Sequence, residues 1–269
     1  MSQMKSCIIV LKPTSFFTSF VTEQLPDFDY PSAKLIANTQ LDCVLVGDTV
    51  SMVVHGHPST VMADMTMMTM HTAAVARGIG PQFLISDLPF LCHRGSRDQT
   101  LLHVKQLVQA GAQAIKIEGG DADTCATIAY IVASGVPVIG HIGLTPQSVL
   151  QLGGYKIQGR TPTQAEHILN QAQQLEAAGC TALVLECIPR DLATQITQAL
   201  RIPTIGIGAG PDTDGQVLVW HDFLGLYNDI QVSFVKQFAN GNSLFDTAIH
   251  HYITEVQQGQ FPSMEHSFT

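Results

Sequence analysis

The chain has 269 residues, of which 45% are hydrophobic and 13% charged, and its net charge is −9. That length suits one large α/β domain with a sizeable core. Thirteen basic residues without a cluster exclude nucleic acid or an anionic membrane as the main partner, while so few charges imply covered surface and hence a homo-oligomer.

Taken in chain order, residues 1–22 carry no acid and only Lys5 and Lys12, a faint likeness to a presequence. The apolar run from Cys7 to Leu11 is stopped by Lys12-Pro13 and is too short for a signal peptide. A first strand is expected between about 8 and 28, where the residues predict strand poorly. Beyond it, short Val/Ile/Leu runs predict strands over 42–47, 82–87, 113–118, 136–141, 181–186, 202–207 and 216–220. Helices are predicted over 30–39, 64–78, 97–110, 122–134, 163–178 and 190–200, with Gly111, Gly135 and Gly179 as stops. The stretch 230–258 reads as one or two helices. This βα rhythm predicts a single (β/α)₈ TIM barrel with an atypical first strand. No apolar run reaches the length needed to span a bilayer.

The six cysteines, Cys7, Cys43, Cys92, Cys125, Cys180 and Cys187, lack CxxC or Cys/His ligand spacing. Neither a zinc site nor a disulfide framework is indicated, and a reducing, cytoplasmic setting is expected.

Four acids end four strand runs: Asp48, Asp87, Glu118 and Glu186. Ligands of parallel sheets lie at the carboxyl ends of the strands. A carboxylate there is a metal ligand, a proton carrier or a cap for the next helix; four together point to a metal-assisted site. The oxygens of Asp48 and Asp87 suit Mg²⁺. Lys116 and Glu118 alternate with Ile115 and Ile117, so both face the barrel interior, either as a structural ion pair or with Lys116 holding an anionic substrate carboxylate and Glu118 near the metal. Glu186, between Leu185 and Cys187, is a candidate general base with a raised pKa, or else a partner of Arg190. His141 orients a substrate or satisfies a buried carbonyl. His55 and His57 read as loop histidines more readily than zinc ligands. The glycines of 206–210 do not complete a GxGxxG pattern and read as tight turns.

Together these residues resemble one family closely, the ketopantoate (3-methyl-2-oxobutanoate) hydroxymethyltransferases. The segments that carry the resemblance include Asp29-Tyr30-Pro31-Ser32-Ala33-Lys34, Val46-Gly47-Asp48, His71-Thr72-Ala73-Ala74-Val75-Ala76-Arg77-Gly78 and Asp87-Leu88-Pro89-Phe90. They continue with Lys116-Ile117-Glu118-Gly119-Gly120, Gly140-His141-Ile142-Gly143-Leu144-Thr145-Pro146-Gln147, Leu185-Glu186-Cys187 and Asp214-Gly215-Gln216-Val217. The resemblance implies a (β/α)₈ barrel in a decamer that transfers a hydroxymethyl group from 5,10-methylenetetrahydrofolate to 3-methyl-2-oxobutanoate, giving 2-dehydropantoate in pantothenate and coenzyme A biosynthesis. It also implies Mg²⁺ at Asp48 and Asp87 with Glu118 in the metal shell, and an enolate stabilised by that metal. The oxo acid would be contacted by Asp48, Thr49, Asp87 and Lys116, and Glu186 would be the general base. Other readings are a different Mg²⁺-dependent oxo-acid barrel, such as a carbon–carbon lyase or phosphonomutase, or a barrel without turnover; the retained acids count against the last.

This chain departs from the family pattern in four places. Thr49 stands for a usual Ser and Ser51 for a usual Gly, and His93 stands two residues after Leu91, where an aromatic is common. Residues 24–29 replace the usual Leu-Thr-Ala-Tyr-Asp, which makes residues 1–28 a divergent segment of the single domain.

Overall fold

The computed structural model describes residues 10–11, 22–23, 29–226 and 233–268. Among the described residues nine strands form one sheet: β1 (Val10–Leu11), β2 (Thr22–Glu23), β3 (Cys43–Val46), β4 (Phe83–Asp87), β5 (Ala114–Glu118), β6 (Val138–Gly143), β7 (Ala182–Glu186), β8 (Thr204–Ile207) and β9 (Gly215–Gln216). Their order is β2-β1-β9-β8-β7-β6-β5-β4-β3. The seven strands from β3 to β9 run parallel. They alternate with helices in the manner of a (β/α)₈ barrel.

The expected first strand takes a different form. β1 pairs antiparallel with β9, and β2 antiparallel with β1. Among the described residues no strand pairs with the outer edge of β3. Most of residues 1–28, including the Gln24–Phe28 departure, lies outside the described residues.

Local chemistry sets the helices. α1 (Tyr30–Ile36), α2 (Val50–Val53), α3 (Met65–Gly78), α4 (Arg97–Gln109), α5 (Ala122–Ala133), α6 (Val149–Leu152), α7 (Pro162–Ala177), α8 (Arg190–Ala199), α9 (Trp220–Phe223) and α10 (Gly241–Gln257) follow in turn. Side chains of Asp29, Asp64, Ser96, Asp121, Thr161 and Asn240 accept backbone N–H groups at the starts of α1, α3, α4, α5, α7 and α10, satisfying donors a helix leaves open. Thr161 and Gln164 complete a capping box. The last predicted strand shrinks to Gly215–Gln216, because the chain turns into α9 at Trp220. Among the described residues of 230–258 one helix forms, α10, and Phe234 and Phe238 precede it.

Alternation along the strands separates two cores. Outward residues such as Val44, Val46, Leu84, Ile115, Ile117, Leu183 and Leu185 pack under the helices. Inward residues Leu45, Ile85, Ala114, Ile139, Ala182, Val184, Ile205 and Ile207 fill the barrel floor. Lys116, Glu118, His141 and Glu186 have the inward parity, one or two pleats further along the same strands. The floor is therefore apolar and the carboxyl-terminal mouth is ionic.

Candidate active site

Asp48, Asp87, Lys116, Glu118, His141 and Glu186 are all buried, at 2–5% exposure, and together line one pocket with Thr49. None of the four acids caps a helix. Thr49 sits at the start of α2, Ser96 caps α4, Asp121 caps α5, and α8 begins without a side-chain cap. The cap alternative is thus removed for each.

Strand register decides who pairs with whom. Lys116 lies opposite Asp87, and its Nζ is 2.8 Å from Asp87 Oδ1 but 3.8 Å from Glu118 Oε1. The main partner of Lys116 is therefore on the neighbouring strand, not two residues along its own. Asp87 Oδ2 accepts the Asp48 backbone N–H at 3.0 Å, so Asp87 ties β5 to the end of β3. His141 lies opposite Glu118. Its Nδ1 is 3.5 Å from Glu118 Oε1 and 3.3 Å from Lys116 Nζ. Its Nε2 is 3.0 Å from Glu186 Oε2, an ion-pair contact, not an aligned hydrogen bond. Arg190 pairs with Asp212, so Glu186 answers to His141 and not to Arg190.

Gln147 is a site residue that strand and helix patterns do not mark. It sits in a 3₁₀ turn, Pro146–Ser148, beyond β6. Its side-chain amide donates to Asp48 Oδ2 at 2.8 Å and to the Leu88 carbonyl at 3.0 Å. Its backbone N–H donates to Glu118 Oε2 at 2.9 Å. Its signals in the sequence are its place just after Thr145-Pro146 at a strand end and its membership of the Gly140–Gln147 segment that carries the family resemblance.

Burial and crowding set the charges. Burial, then repulsion from Asp87 and Glu118, raises the pKa of Asp48 well above the carboxylate range. Burial also raises Asp87, although Lys116 opposes it. Burial pushes Glu118 up, but His141 and Lys116 outweigh it and hold that carboxyl low. Burial works against the Lys116 charge, yet Asp87, Glu118 and Asp48 hold its pKa well above the usual lysine value. For His141, burial and Lys116 lower the pKa, while Glu118 and Glu186 carry it up to about 9. Burial raises Glu186 despite His141.

When ionised, four carboxylates face two cations, which leaves the negative charge that one divalent ion neutralises. Burial is the main cause of the raised Asp48 and Asp87 pKa values, and for Asp48 repulsion from Asp87 and Glu118 adds to it. Thr49 Oγ1 is buried with no partner among the described residues. Those residues hold no group of three or more His, Cys, Asp or Glu able to bind a metal by themselves. Mg²⁺ needs none, since it keeps waters and takes one or two carboxylates plus substrate oxygens. The donors present fit Mg²⁺.

The other candidates fall outside this cluster. His55 Nε2 is 2.9 Å from His71 Nε2, and the His55 and His57 rings stack with centroids 6.4 Å apart. In the 206–210 loop, Gly208 and Gly210 adopt φ of 61° and 81°. A Cβ there would run into Phe234 and Arg190 respectively, so these glycines serve turns at the mouth.

A family model for ketopantoate hydroxymethyltransferase matches residues 21–264. The chain is 60% identical over 241 residues to the 3-methyl-2-oxobutanoate hydroxymethyltransferase of Legionella pneumophila (strain Paris), covering 90% of this chain and 92% of that protein. It is 49% identical over 243 residues to the enzyme of that name from Francisella tularensis subsp. tularensis (strain SCHU S4), with 90% and 91% covered. This chain belongs to the ketopantoate hydroxymethyltransferase family. It is accordingly a transferase.

Solved structures of low sequence identity share the fold. 2,3-Dimethylmalate lyase, of the PEP mutase/isocitrate lyase superfamily, aligns with a TM-score of 0.58 at 17% identity, over 91% of this chain and 86% of that one. Phosphonopyruvate hydrolase, solved with oxalate and Mg²⁺, aligns at 0.57 and 15%, over 90% and 87%. Among the described residues, of the departures from the ketopantoate hydroxymethyltransferase pattern, only that at Ser51 has its polar group paired. Ser51 is fully buried and donates from Oγ to the Ser59 carbonyl at 3.0 Å, while Thr49 and His93 are both buried.

Proposed function

We propose that this hydroxymethyltransferase moves a one-carbon unit from 5,10-methylenetetrahydrofolate to 3-methyl-2-oxobutanoate, giving 2-dehydropantoate, with Glu186 as general base. What carries this reading is the convergence of Asp48, Asp87, Lys116, Glu118, His141 and Glu186 on one buried pocket at the strand ends. Paired cations beside a buried base suit a small anion bearing an acidic C–H bond. Mg²⁺ would be held by Asp48 and Asp87 with Glu118 beside them, and when bound it supplies a Lewis acid for charge developing on the oxo acid.

The chain's own residues do the rest. The Lys116 ammonium, fixed by Asp87, meets the carboxylate of the oxo acid, and the free hydroxyl of Thr49 donates to it. A Glu186 carboxylate oxygen takes the proton from C3. Its burial-raised pKa makes it a stronger base than an exposed carboxylate, and His141 holds it in place. The apolar floor below keeps water from the reacting carbon.

Other features support the remaining proposals. Burial pushes the thiols of Cys43 and Cys180 up to about 12, which suits inert cysteines in a reducing cytoplasm. Leu244, Phe245, Ile249 and Tyr252 of α10 are exposed, which suits a homo-oligomer. No helix among the described residues is long and apolar enough to cross a membrane.

Proton NMR of 3-methyl-2-oxobutanoate in D₂O tests the mechanism. Loss of the C3 signal with enzyme and Mg²⁺, and product when methylenetetrahydrofolate is added, are expected. Glu186→Gln should abolish exchange while Mg²⁺ still binds; persistent exchange would place the base elsewhere.

A further inference from the structure

Glu118 lines two spaces. One is the acid pocket; the other is a cavity of about 790 Å³ between the loop after β4, the segment after β6 and helix α7. Gln147 stands between them. Its amide is spent on Asp48 and Leu88, its backbone N–H on Glu118, and it also lines the cavity. A five-carbon oxo acid has no use for so large a space. Volumes of this size serve ligands of several rings, roughly 300–1,000 Å³.

His93 lies in the wall of this cavity. It is 6% exposed, and neither ring nitrogen has a partner among the described residues. Buried polar atoms in folded proteins are nearly always paired, so two such nitrogens beside a ligand-sized space point to a ligand. Burial, with Arg94 adding to it, lowers the His93 pKa to about 4. The ring is therefore neutral near pH 7 and offers one N–H donor and one acceptor. The amides of Gln151 and Gln171 and the apolar side chains of Ile142 and Leu152 line the same space.

We infer that this cavity seats the fused ring of the one-carbon donor, a reduced pteridine, and that His93 is a donor-binding residue that hydrogen-bonds to it. The chemistry matches on both sides. A reduced pteridine has a lactam and an amino group along one edge, which answer an imidazole and carboxamides, and flat faces that answer Ile142 and Leu152. The shared wall at Glu118 brings its one-carbon unit next to the acid pocket. This inference rests on the hydroxymethyltransferase reading above.

Calorimetric titration with tetrahydrofolate, alongside steady-state kinetics, tests it on the wild type, His93→Phe and His93→Gln. Phe keeps the ring shape without hydrogen bonding; Gln restores a donor and an acceptor. His93→Phe should weaken tetrahydrofolate binding about 10-fold, the worth of one buried hydrogen bond. The KM for the donor should rise equally, while the KM for the oxo acid changes less than twofold. His93→Gln should recover most of the loss. Unchanged folate affinity in His93→Phe, equal losses for both substrates, or no recovery with Gln would each overturn the role of His93. Ring ¹⁵N resonances provide a check independent of how His93→Phe folds: a His93 signal, identified by its absence in His93→Gln, that does not move on adding tetrahydrofolate also overturns it. A wild-type enzyme that exchanges the C3 proton yet binds no tetrahydrofolate would instead refute the donor proposed above.

Discussion

Replacing Lys116 with Met keeps the length of the side chain and removes its buried charge. Nζ lies 2.8 Å from Asp87 and 3.8 Å from Glu118, attractions of about 6 and about 4 kcal/mol at an effective permittivity of about 20. Withdrawing these ions from water costs several kcal/mol each, so the intact cluster gains little over an apolar one. Removing one partner is different, because the desolvated carboxylates stay behind, and a loss of about 3–5 kcal/mol is expected. Urea unfolding at neutral pH without divalent ions should show that drop in Lys116→Met. Asp87→Asn in the same chain should restore about 1–2 kcal/mol by removing the stranded charge. A loss below about 1 kcal/mol, or no restoration in the double variant, would refute the assignment of Lys116 as the compensating cation.

Three further outcomes follow from the geometry. His141 lowers the pKa of Glu186 against the upward push of burial, so His141→Asn should move the acid limb of the C3-exchange pH profile to higher pH; a shift to lower pH would contradict the pairing. Gly143 has φ of 93°, and a Cβ there would strike the Glu186 carbonyl; Gly143→Ala should cost about 2–4 kcal/mol in denaturant midpoint experiments and lower turnover with it. Arg94 holds the Asp121 carboxyl below its usual range. A carboxylate depressed on folding stabilises above its unfolded pKa of about 3.9 and loses that contribution as pH falls through the folded value. Both side chains are substantially exposed, so Arg94→Ala should cost at most about 1 kcal/mol at pH 7, and the difference from wild type should vanish in thermal melts at strongly acid pH.

The parallel strands were legible as apolar runs, and their acids because four of those runs end in Asp48, Asp87, Glu118 and Glu186. The predicted helix starts at 64, 122 and 163 fall within one residue of α3, α5 and α7, which Asp64, Asp121 and Thr161 cap. Pairing was not legible. Residues two apart on a strand are about 7 Å apart, whereas opposed residues on neighbouring strands are about 4.8–5.5 Å apart. The Lys116–Asp87 pair depends on the register between β4 and β5, which neither run encodes alone. Gln147 escaped notice for a related reason: it lies in a turn without periodicity, and its partners are remote in the chain. The antiparallel β1–β9 pairing also had no local signal, since residues 8–28 lack a strand pattern.

Gln147 reaches back 99 residues to Asp48 and 59 to Leu88, and His141 reaches forward to Glu186. Apart from the 3.8 Å Lys116–Glu118 contact within β5, the bonds that position the acids span separate βα units, and no isolated unit contains the whole centre. Long-range pairings of this kind form late and together as a chain folds. The centre works as a latch on folding: an unfinished sheet presents scattered carboxylates without the paired lysine and histidine. A chain that has not yet paired its later strands therefore lacks the assembled centre.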